Sequence, residues 1–129
     1  MPGAFDAVER VRQVMPVALV SASPRILMDA ALTTLPQGFF KFSISADDVT
    51  RTKPFPDPYI EAAKRMGVST SSCVVFEDSL TGIASAKSAG CAVVAVPHYV
   101  DVALAPKVRV VTSLEEVSLK FLQHFYSAI

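Results

Sequence analysis

The feature that most constrains the fold of this chain is a strand-like segment that turns directly into a helix-like one. It spans residues 73–90 and reads C-V-V-F-E-D-S-L-T-G-I-A-S-A-K-S-A-G. Its first part, residues 74–76, is apolar on both faces, as in a strand buried within a parallel sheet. Its last part is rich in small residues and stops at Gly90, which is typical of a helix that lies close against a sheet. We therefore expect a buried strand followed at once by a helix.

Two adjacent acids, Glu77 and Asp78, stand where this predicted strand ends. In open α/β sheets, ligands bind outside the carboxyl ends of the strands, beside helix N-termini. Two carboxylates there suit Mg²⁺, which takes oxygen ligands and usually keeps a phosphate as another. The alternative is that both acids only cap the helix and interact with its positive end. The residues at the other strand ends decide between the two interpretations.

Helix-like and strand-like segments alternate along almost the whole chain. The predicted strands cover residues 17–20, 42–45, 74–76, 92–96 and 108–111, and the predicted helices cover residues 5–15, 24–35, 58–66 and 80–89 and a C-terminal segment. Three helix starts carry capping signals, which are Ser23 before Pro24, Asp57 before Pro58, and a Ser113–Glu116 capping box. Residues 97–107 form a loop without a clear period. This alternation predicts an α/β fold, a Rossmann-like and mostly parallel sheet with helices on both faces.

Composition narrows the class of protein further. The chain has 129 residues, of which 51% are hydrophobic, so it forms one domain with a real core. Twelve basic and twelve acidic residues are scattered, which argues against a nucleic-acid surface or a polybasic membrane patch. The apolar runs are too short to span a bilayer, and the N-terminus does not read as a signal peptide. Cys73 and Cys91 lack metal or redox spacing, so we expect reduced thiols in a cytoplasmic protein.

Two further polar residues lie near predicted strand ends. Ser21 follows the first strand, where its hydroxyl can donate to a phosphate together with backbone N–H groups of the next helix. Its alternative role is that of an ordinary turn serine. Lys53 precedes a loop stiffened by three prolines, and a positioned ammonium neutralises a phosphoryl group in transit. Its alternative role is that of a solvated loop lysine. For Arg25 we expect a role on the helix surface.

The order and spacing of three segments resemble the haloacid dehalogenase-like superfamily, and within it the β-phosphoglucomutase-like phosphatases. These segments are V-A-L-V-S-A-S, K-P-F-P-D-P-Y and V-V-F-E-D-S-L-T-G-I-A-S-A-K-S-A-G. The resemblance covers essentially the whole chain. It implies Mg²⁺-dependent phosphoryl transfer from a small phosphorylated metabolite, most simply the hydrolysis of a phosphate monoester.

The resemblance also implies a role for individual residues. Ser21 and Ala22 match the segment that holds the phosphate, and Lys53 matches the lysine that stabilises the nucleophile and the transferring phosphoryl group. Glu77 and Asp78 match the acids that hold Mg²⁺. Asp57, although it lies in the same motif region as Lys53, is expected to be structural, as the cap of its helix.

The chain departs from the family in one essential motif. The family's aspartate nucleophile lies in a D-x-D motif at the end of its first strand, and this sequence contains no D-x-D. The family's cap domain is also missing. We therefore interpret residues 1–129 as a single domain that corresponds to the C-terminal portion of such a core, truncated and with little or no turnover. The alternative is a non-catalytic remnant, or a module that binds phosphate and Mg²⁺ and completes a partner chain.

The missing strand has a physical consequence. In the family it lies between the strand that ends at Ser21 and the strand that ends at Glu77 and Asp78. Without it, two apolar strands would present unpaired edges, which favour aggregation. The two strands would pair with each other, or another chain would donate a strand, or the isolated chain would be marginally stable and self-associate. We expect self-association.

Overall fold

The computed structural model describes residues 3–96, 107–111 and 113–128, with only the backbone at residues 124 and 126–128. The helices are α1 (Ala4–Val11), α2 (Arg25–Leu32), α3 (Asp57–Met66), α4 (Leu80–Ala89) and α5 (Leu119–Ala128). The strands are β1 (Leu19–Val20), β2 (Ser43–Ile44), β3 (Val74–Glu77), β4 (Ala92–Ala95) and β5 (Val108–Val110). Short 3₁₀ helices cover Ala46–Asp48, Thr70–Ser72 and Leu114–Glu116. The predicted alternation of helices and strands is confirmed.

The strands form two separate parallel sheets. One contains β3, β4 and β5 in that order, with Val74 opposite Ala92 and Val93 opposite Val108. The other contains β1 and β2, with Leu19 opposite Ser43. The larger sheet is the core of the fold, because every residue of its central strand β4 is buried.

Helices cover both faces of the larger sheet. On one face, Val94 belongs to a cluster that includes Val11 of α1 and Leu122 of α5. On the other face, Val93 belongs to a cluster that includes Tyr59 of α3 and Ile83 of α4. Successive side chains of β4 therefore pack into two hydrophobic clusters, one on each face of the sheet. The predicted α/β architecture with helices on both faces is confirmed.

The predicted helix ends are partly right. Gly67 and Gly90 end α3 and α4 in the left-handed conformation, with φ of 76° and 90°. Ser79 caps α4, and its hydroxyl accepts a hydrogen bond from the backbone N–H of Gly82 at 3.1 Å. Both ends of the helix in the 73–90 segment therefore follow from local sequence. Most of the predicted loop at 97–107 lies outside the described residues, apart from Lys107.

Of the three predicted N-terminal caps, those at Ser23 and Asp57 are wrong, and the Ser113–Glu116 capping box is present but opens a different helix. Helix α2 begins at Arg25, whose backbone N–H donates to Asp47 Oδ2 at 2.7 Å, so the cap comes from a distant residue rather than from Ser23. Asp57 is already the first residue of α3, and its carboxylate pairs with Arg51 at 3.1 Å. The Ser113 capping box opens the 3₁₀ helix at Leu114–Glu116, and α5 begins only at Leu119.

Strands β1 and β3 do not pair, so the alternative in which they pair directly with each other is wrong for the described residues. In β1 the backbone N–H groups of Leu19 and Ser21 donate to carbonyls of β2 and of the residue just before it. Because successive residues of a strand face opposite edges, the backbone N–H and carbonyl groups of Val20 point away from β2. Around β3 the carbonyls of Cys73 and Glu77 accept hydrogen bonds from β4 and from the residue just after it. The backbone N–H and carbonyl groups of Val74 and Phe76 therefore point away from β4. Within the described ranges, each of these strands therefore has one edge that pairs with no other strand, which we call its open edge.

The length of the helices also bears on membrane association. No helix in the described part of the chain is long and apolar enough to cross a bilayer.

Candidate functional site

Lys53 connects the two sheets at the carboxyl ends of their strands. Its ammonium donates a hydrogen bond to the carbonyl of Val20 at 3.2 Å and forms an ion pair with Glu77 Oε1. The side chains of Lys53 and Glu77 are only 10% and 7% exposed. Lys53 is therefore a buried link between β1 and β3, and the alternative of a solvated loop lysine is wrong. We call the space between the two open strand edges the inter-sheet gap.

The proline loop that carries Lys53 is held in place by α4. The Lys53–Pro54 peptide bond is cis. The carbonyl of Phe55 accepts a hydrogen bond from the hydroxyl of Ser85 at 2.6 Å, and Ser85 is fully buried. The guanidinium of Arg51 lies 4.6 Å from the centroid of the Phe55 ring. These contacts fix the loop, and with it the direction in which Lys53 extends.

Glu77 is the last residue of β3 and lies at the centre of this polar cluster. Its Oε1 accepts hydrogen bonds from Lys53 and from the hydroxyl of Tyr59, and its Oε2 accepts from the hydroxyl of Ser79 at 3.5 Å. A Cβ atom at Gly82 would lie 2.1 Å from the Glu77 carboxylate. Ser79, not Glu77, caps α4, so the cap-only interpretation of Glu77 is wrong.

Tyr59 is a hydrogen-bond donor of this cluster that the sequence analysis did not identify. It lies on α3, is only 6% exposed, and donates to Glu77 Oε1. Burial raises the pKa of Tyr59 far above its usual range, and the charge of Glu77 raises it further, so the hydroxyl stays a donor. The only sequence signal was its place at the end of the K-P-F-P-D-P-Y segment.

Ser21 and Ala22 form the turn between β1 and α2. The Ser21 hydroxyl oxygen accepts a hydrogen bond from the backbone N–H of Ser23 at 3.1 Å, as a turn serine does. Ala22 is exposed. Lys53 reaches this turn through the carbonyl of Val20, the neighbour of Ser21. The N-terminus of α2 offers fewer donors than expected, because Asp47 already accepts from its first N–H group.

Arg25 does more than lie on the helix surface, where it was expected, because it joins α2 to the end of β2. Its guanidinium donates to the hydroxyl of Ser43 at 2.6 Å and forms an ion pair with Asp48. Asp48 also accepts from the backbone N–H and the hydroxyl of Ser45, at 2.7 and 2.8 Å. These hydrogen bonds from Ser45, followed by the one from Arg25, lower the pKa of Asp48 to about 2. The cluster fixes α2 and the end of β2.

Glu77 and Asp78 are the residues that could contribute to a metal site. Asp78 follows β3 directly and is half-buried. Across the described ranges, no group of three or more His, Cys, Asp or Glu residues is arranged to hold a metal ion. Mg²⁺ is commonly held by one or two carboxylates, with water and phosphate at the other positions. These two side chains have the right donor chemistry for such a partial ligand set.

Comparisons with known proteins agree with this geometry. A family model described as haloacid dehalogenase-like hydrolase matches residues 1–90. The chain is 34% identical over 121 residues to a bifunctional riboflavin kinase/FMN phosphatase from Arabidopsis thaliana, a match that covers 91% of this chain and 30% of that protein. It is 39% identical over 90 residues to a validoxylamine A 7'-phosphate phosphatase from Streptomyces hygroscopicus subsp. limoneus, covering 68% and 42% of the two chains.

Solved structures show the same similarity. A HAD hydrolase of family IA, variant 3, from Entamoeba histolytica aligns with a TM-score of 0.83 and 25% identity, over 97% of this chain and 60% of that one. A β-phosphoglucomutase from Clostridium difficile aligns with a TM-score of 0.82 and 26% identity, over 98% and 56%.

The fold and the polar cluster define a Rossmann-like α/β protein with charged side chains at the carboxyl ends of its strands. The chain belongs to the haloacid dehalogenase-like hydrolase family, and the resemblance to its β-phosphoglucomutase and phosphatase members is confirmed. The chain spans between 30% and 60% of the length of the relatives described above.

Proposed function

We propose that this chain carries the phosphate-binding and metal-binding part of a Mg²⁺-dependent phosphatase site for a small phosphorylated metabolite. The observation that carries this proposal is the buried Lys53, which joins Glu77 to the strand end beside Ser21. The relatives support it, since they include a riboflavin kinase/FMN phosphatase and, at 40% identity over 76 residues, a fructose-1-phosphate phosphatase from Escherichia coli.

In this proposal Lys53 and the Ser21 turn bind the phosphoryl group. A lysine ammonium has three N–H donors, and Val20 and Glu77 account for two of them. The third donates to a phosphoryl oxygen and neutralises charge that develops during transfer. The hydroxyl of Ser21 and the backbone N–H of Ala22 donate to further oxygens of the same group.

Glu77 and Asp78 would hold the metal ion at the end of β3. Mg²⁺ bound there would neutralise charge on the phosphoryl group. Glu77 also orients Lys53, because the ion pair keeps the ammonium at the carboxyl ends of β1 and β3. One carboxylate thus serves the metal site and the phosphate site together.

The nucleophile must come from outside the residues in this sequence, which contains no D-x-D. We propose that residues 1–129 correspond to the C-terminal portion of a family core, and that a strand that carries the nucleophile enters the inter-sheet gap from a different, partner chain. The isolated chain would then turn over little or no substrate.

A non-catalytic remnant is the competing hypothesis, and the phosphatase names of the relatives do not favour it. A cytoplasmic location, in keeping with the free thiols of Cys73 and Cys91, is part of the proposal.

The test is a calorimetric titration of the protein with inorganic phosphate in the presence of Mg²⁺. We expect Ser21→Ala to weaken phosphate binding about threefold to tenfold and Lys53→Met to weaken it more than about tenfold. Lys64→Met, which removes an exposed lysine of α3, is the matched control and should bind like the wild type. Absent binding by the wild type, or equal losses in Lys64→Met and Ser21→Ala, would refute the proposal.

A further inference from the structure

We infer that Tyr59 is a positioning residue whose hydroxyl holds the Glu77 carboxylate, and through it the Lys53 ammonium, in place. Its effect on phosphate binding rests on the function proposed above. Its effect on the geometry of Lys53 does not, and the two are tested separately.

Tyr59 contacts both members of the ion pair. Its hydroxyl donates to Glu77 Oε1, the same oxygen that accepts from Lys53. Its ring centroid lies 5.3 Å from the Lys53 ammonium, so the cation also faces the aromatic ring. All three side chains are at least nine-tenths buried. Tyr59 thus forms the inner wall of the cluster, on the side of α3.

The other side of the Glu77 carboxylate is closed by α4. The carboxylate lies so close to Gly82 that no Cβ atom fits between them. Ser79 supplies only a long hydrogen bond of 3.5 Å to Oε2. The position of the carboxylate is therefore set by its contact with Gly82 and by the two donors on Oε1. One of these donors is a flexible lysine, and the other is a rigid phenol on a helix.

Loss of the hydroxyl alone would leave Lys53 as the single strong donor to Glu77. Charge-assisted hydrogen bonds are roughly twice as strong as neutral ones, so this loss would loosen the carboxylate and its partner. Tyr59→Phe is the appropriate variant, because it keeps the buried ring and the ring–ammonium contact. Ser45→Ala is the matched control, since it removes another fully buried hydroxyl that donates to a carboxylate, that of Asp48, outside the Lys53 cluster.

The experiment is competitive acetylation of lysines with trace acetic anhydride, measured by mass spectrometry as the ratio of Lys53 to Lys64 labelling. The wild type should show a low ratio, because Lys53 is buried and Lys64 is exposed. Tyr59→Phe should raise the ratio at least about threefold, and Ser45→Ala should leave it at the wild-type value. An unchanged ratio in Tyr59→Phe, or an equal rise in both variants, would overturn the inference.

A phosphate titration of the same proteins gives the second readout. Tyr59→Phe should weaken binding of inorganic phosphate about threefold to tenfold, and Ser45→Ala should leave it unchanged. If the wild type binds no phosphate, the proposed function fails, and the labelling ratio still decides the role of Tyr59. If the labelling ratio rises while phosphate affinity stays at the wild-type value, Tyr59 does not act on the phosphate site. That result would overturn the inferred effect of Tyr59 on phosphate binding.

Discussion

Gly82 lies directly against the carboxylate of Glu77, so closely that a Cβ atom at position 82 would lie 2.1 Å from Glu77 Cδ. Glycine within a helix costs about 1 kcal/mol relative to alanine, so helix propensity does not explain its presence in the first turn of α4. The contact with Glu77 does. The glycine of E-D-S-L-T-G thus provides the space in which the buried carboxylate meets Lys53 and Tyr59.

Gly82→Ala should therefore destabilise the protein, although alanine is the better helix former. We expect a loss of about 2–3 kcal/mol in the free energy of unfolding, because the new methyl group displaces Glu77 from its two donors. Urea denaturation measures the loss. Ser88→Ala, at an exposed position of the same helix, is the control and should be neutral or slightly stabilising. A Gly82→Ala protein more stable than the wild type would contradict this packing.

The buried ion pair predicts strong coupling between Lys53 and Glu77. Lys53→Met should cost about 3–5 kcal/mol, because it leaves the Glu77 carboxylate buried without its cation. Adding Glu77→Gln to Lys53→Met removes that unpaired charge, so the double variant should lose less than the sum of the two single losses. Glu61→Gln breaks the more exposed pair with Arg65 and should cost less than about 1 kcal/mol. Additive losses at positions 53 and 77 would argue against the coupling.

The Asp48 cluster predicts acid sensitivity. Hydrogen bonds from Ser45 and Arg25 lower the pKa of Asp48 to about 2, below the value of about 3.9 expected in the unfolded chain. The stability that this group contributes is therefore complete above about pH 4 and is lost as the pH falls through about 2. Asp48→Asn should be less stable at pH 7, by up to about 2 kcal/mol, and the gap should close on acidification. A gap that persists at pH 2 would contradict the assignment.

The open edges of β1 and β3 predict self-association of the isolated chain. Sedimentation velocity should show an average mass that rises with protein concentration. Val74→Pro should reduce it, because it removes an N–H group from the open edge of β3 at the first residue of the strand. Val74→Ala is the control, since it also shortens the side chain but keeps that N–H group. A monodisperse monomer that unfolds in one sharp transition would count against open edges.

The sequence predicts the parts of the fold that depend on local pattern. The alternation of helices and strands and the glycine ends of α3 and α4 follow from periodicity and from residues within each element. The N-terminal cap of α2 does not, because Asp47, which accepts from Arg25, lies 22 residues further along the chain. The division of the strands into two sheets likewise depends on which strands pair with each other. Composition does not predict this pairing.

In the candidate site, too, the sequence predicts individual residues but not the long-range contacts between them. Lys53, Glu77 and Ser21 stand out by their place in motifs, yet the buried contact between Lys53 and Glu77 joins residues 24 positions apart. Tyr59 and Gly82 were missed as members of the cluster because a phenol on a helix and a helical glycine are most often ordinary core residues. Only their contacts with Glu77 show that they belong to it.

The most direct test of the account is to locate the metal site by NMR, with Mn²⁺ added in trace amounts as a paramagnetic substitute for Mg²⁺ and inorganic phosphate present. We predict that amide signals broaden around residues 77–78 and 21–22, and that Asp78→Asn abolishes the effect. Asp47 and Asp48, another adjacent pair of acids in the described chain, should not be a centre of broadening, because they are engaged by Arg25 and Ser45. Broadening centred on residues 47–48, or its absence at residues 77–78, would contradict the assignment of Glu77 and Asp78 to a metal-dependent phosphate site.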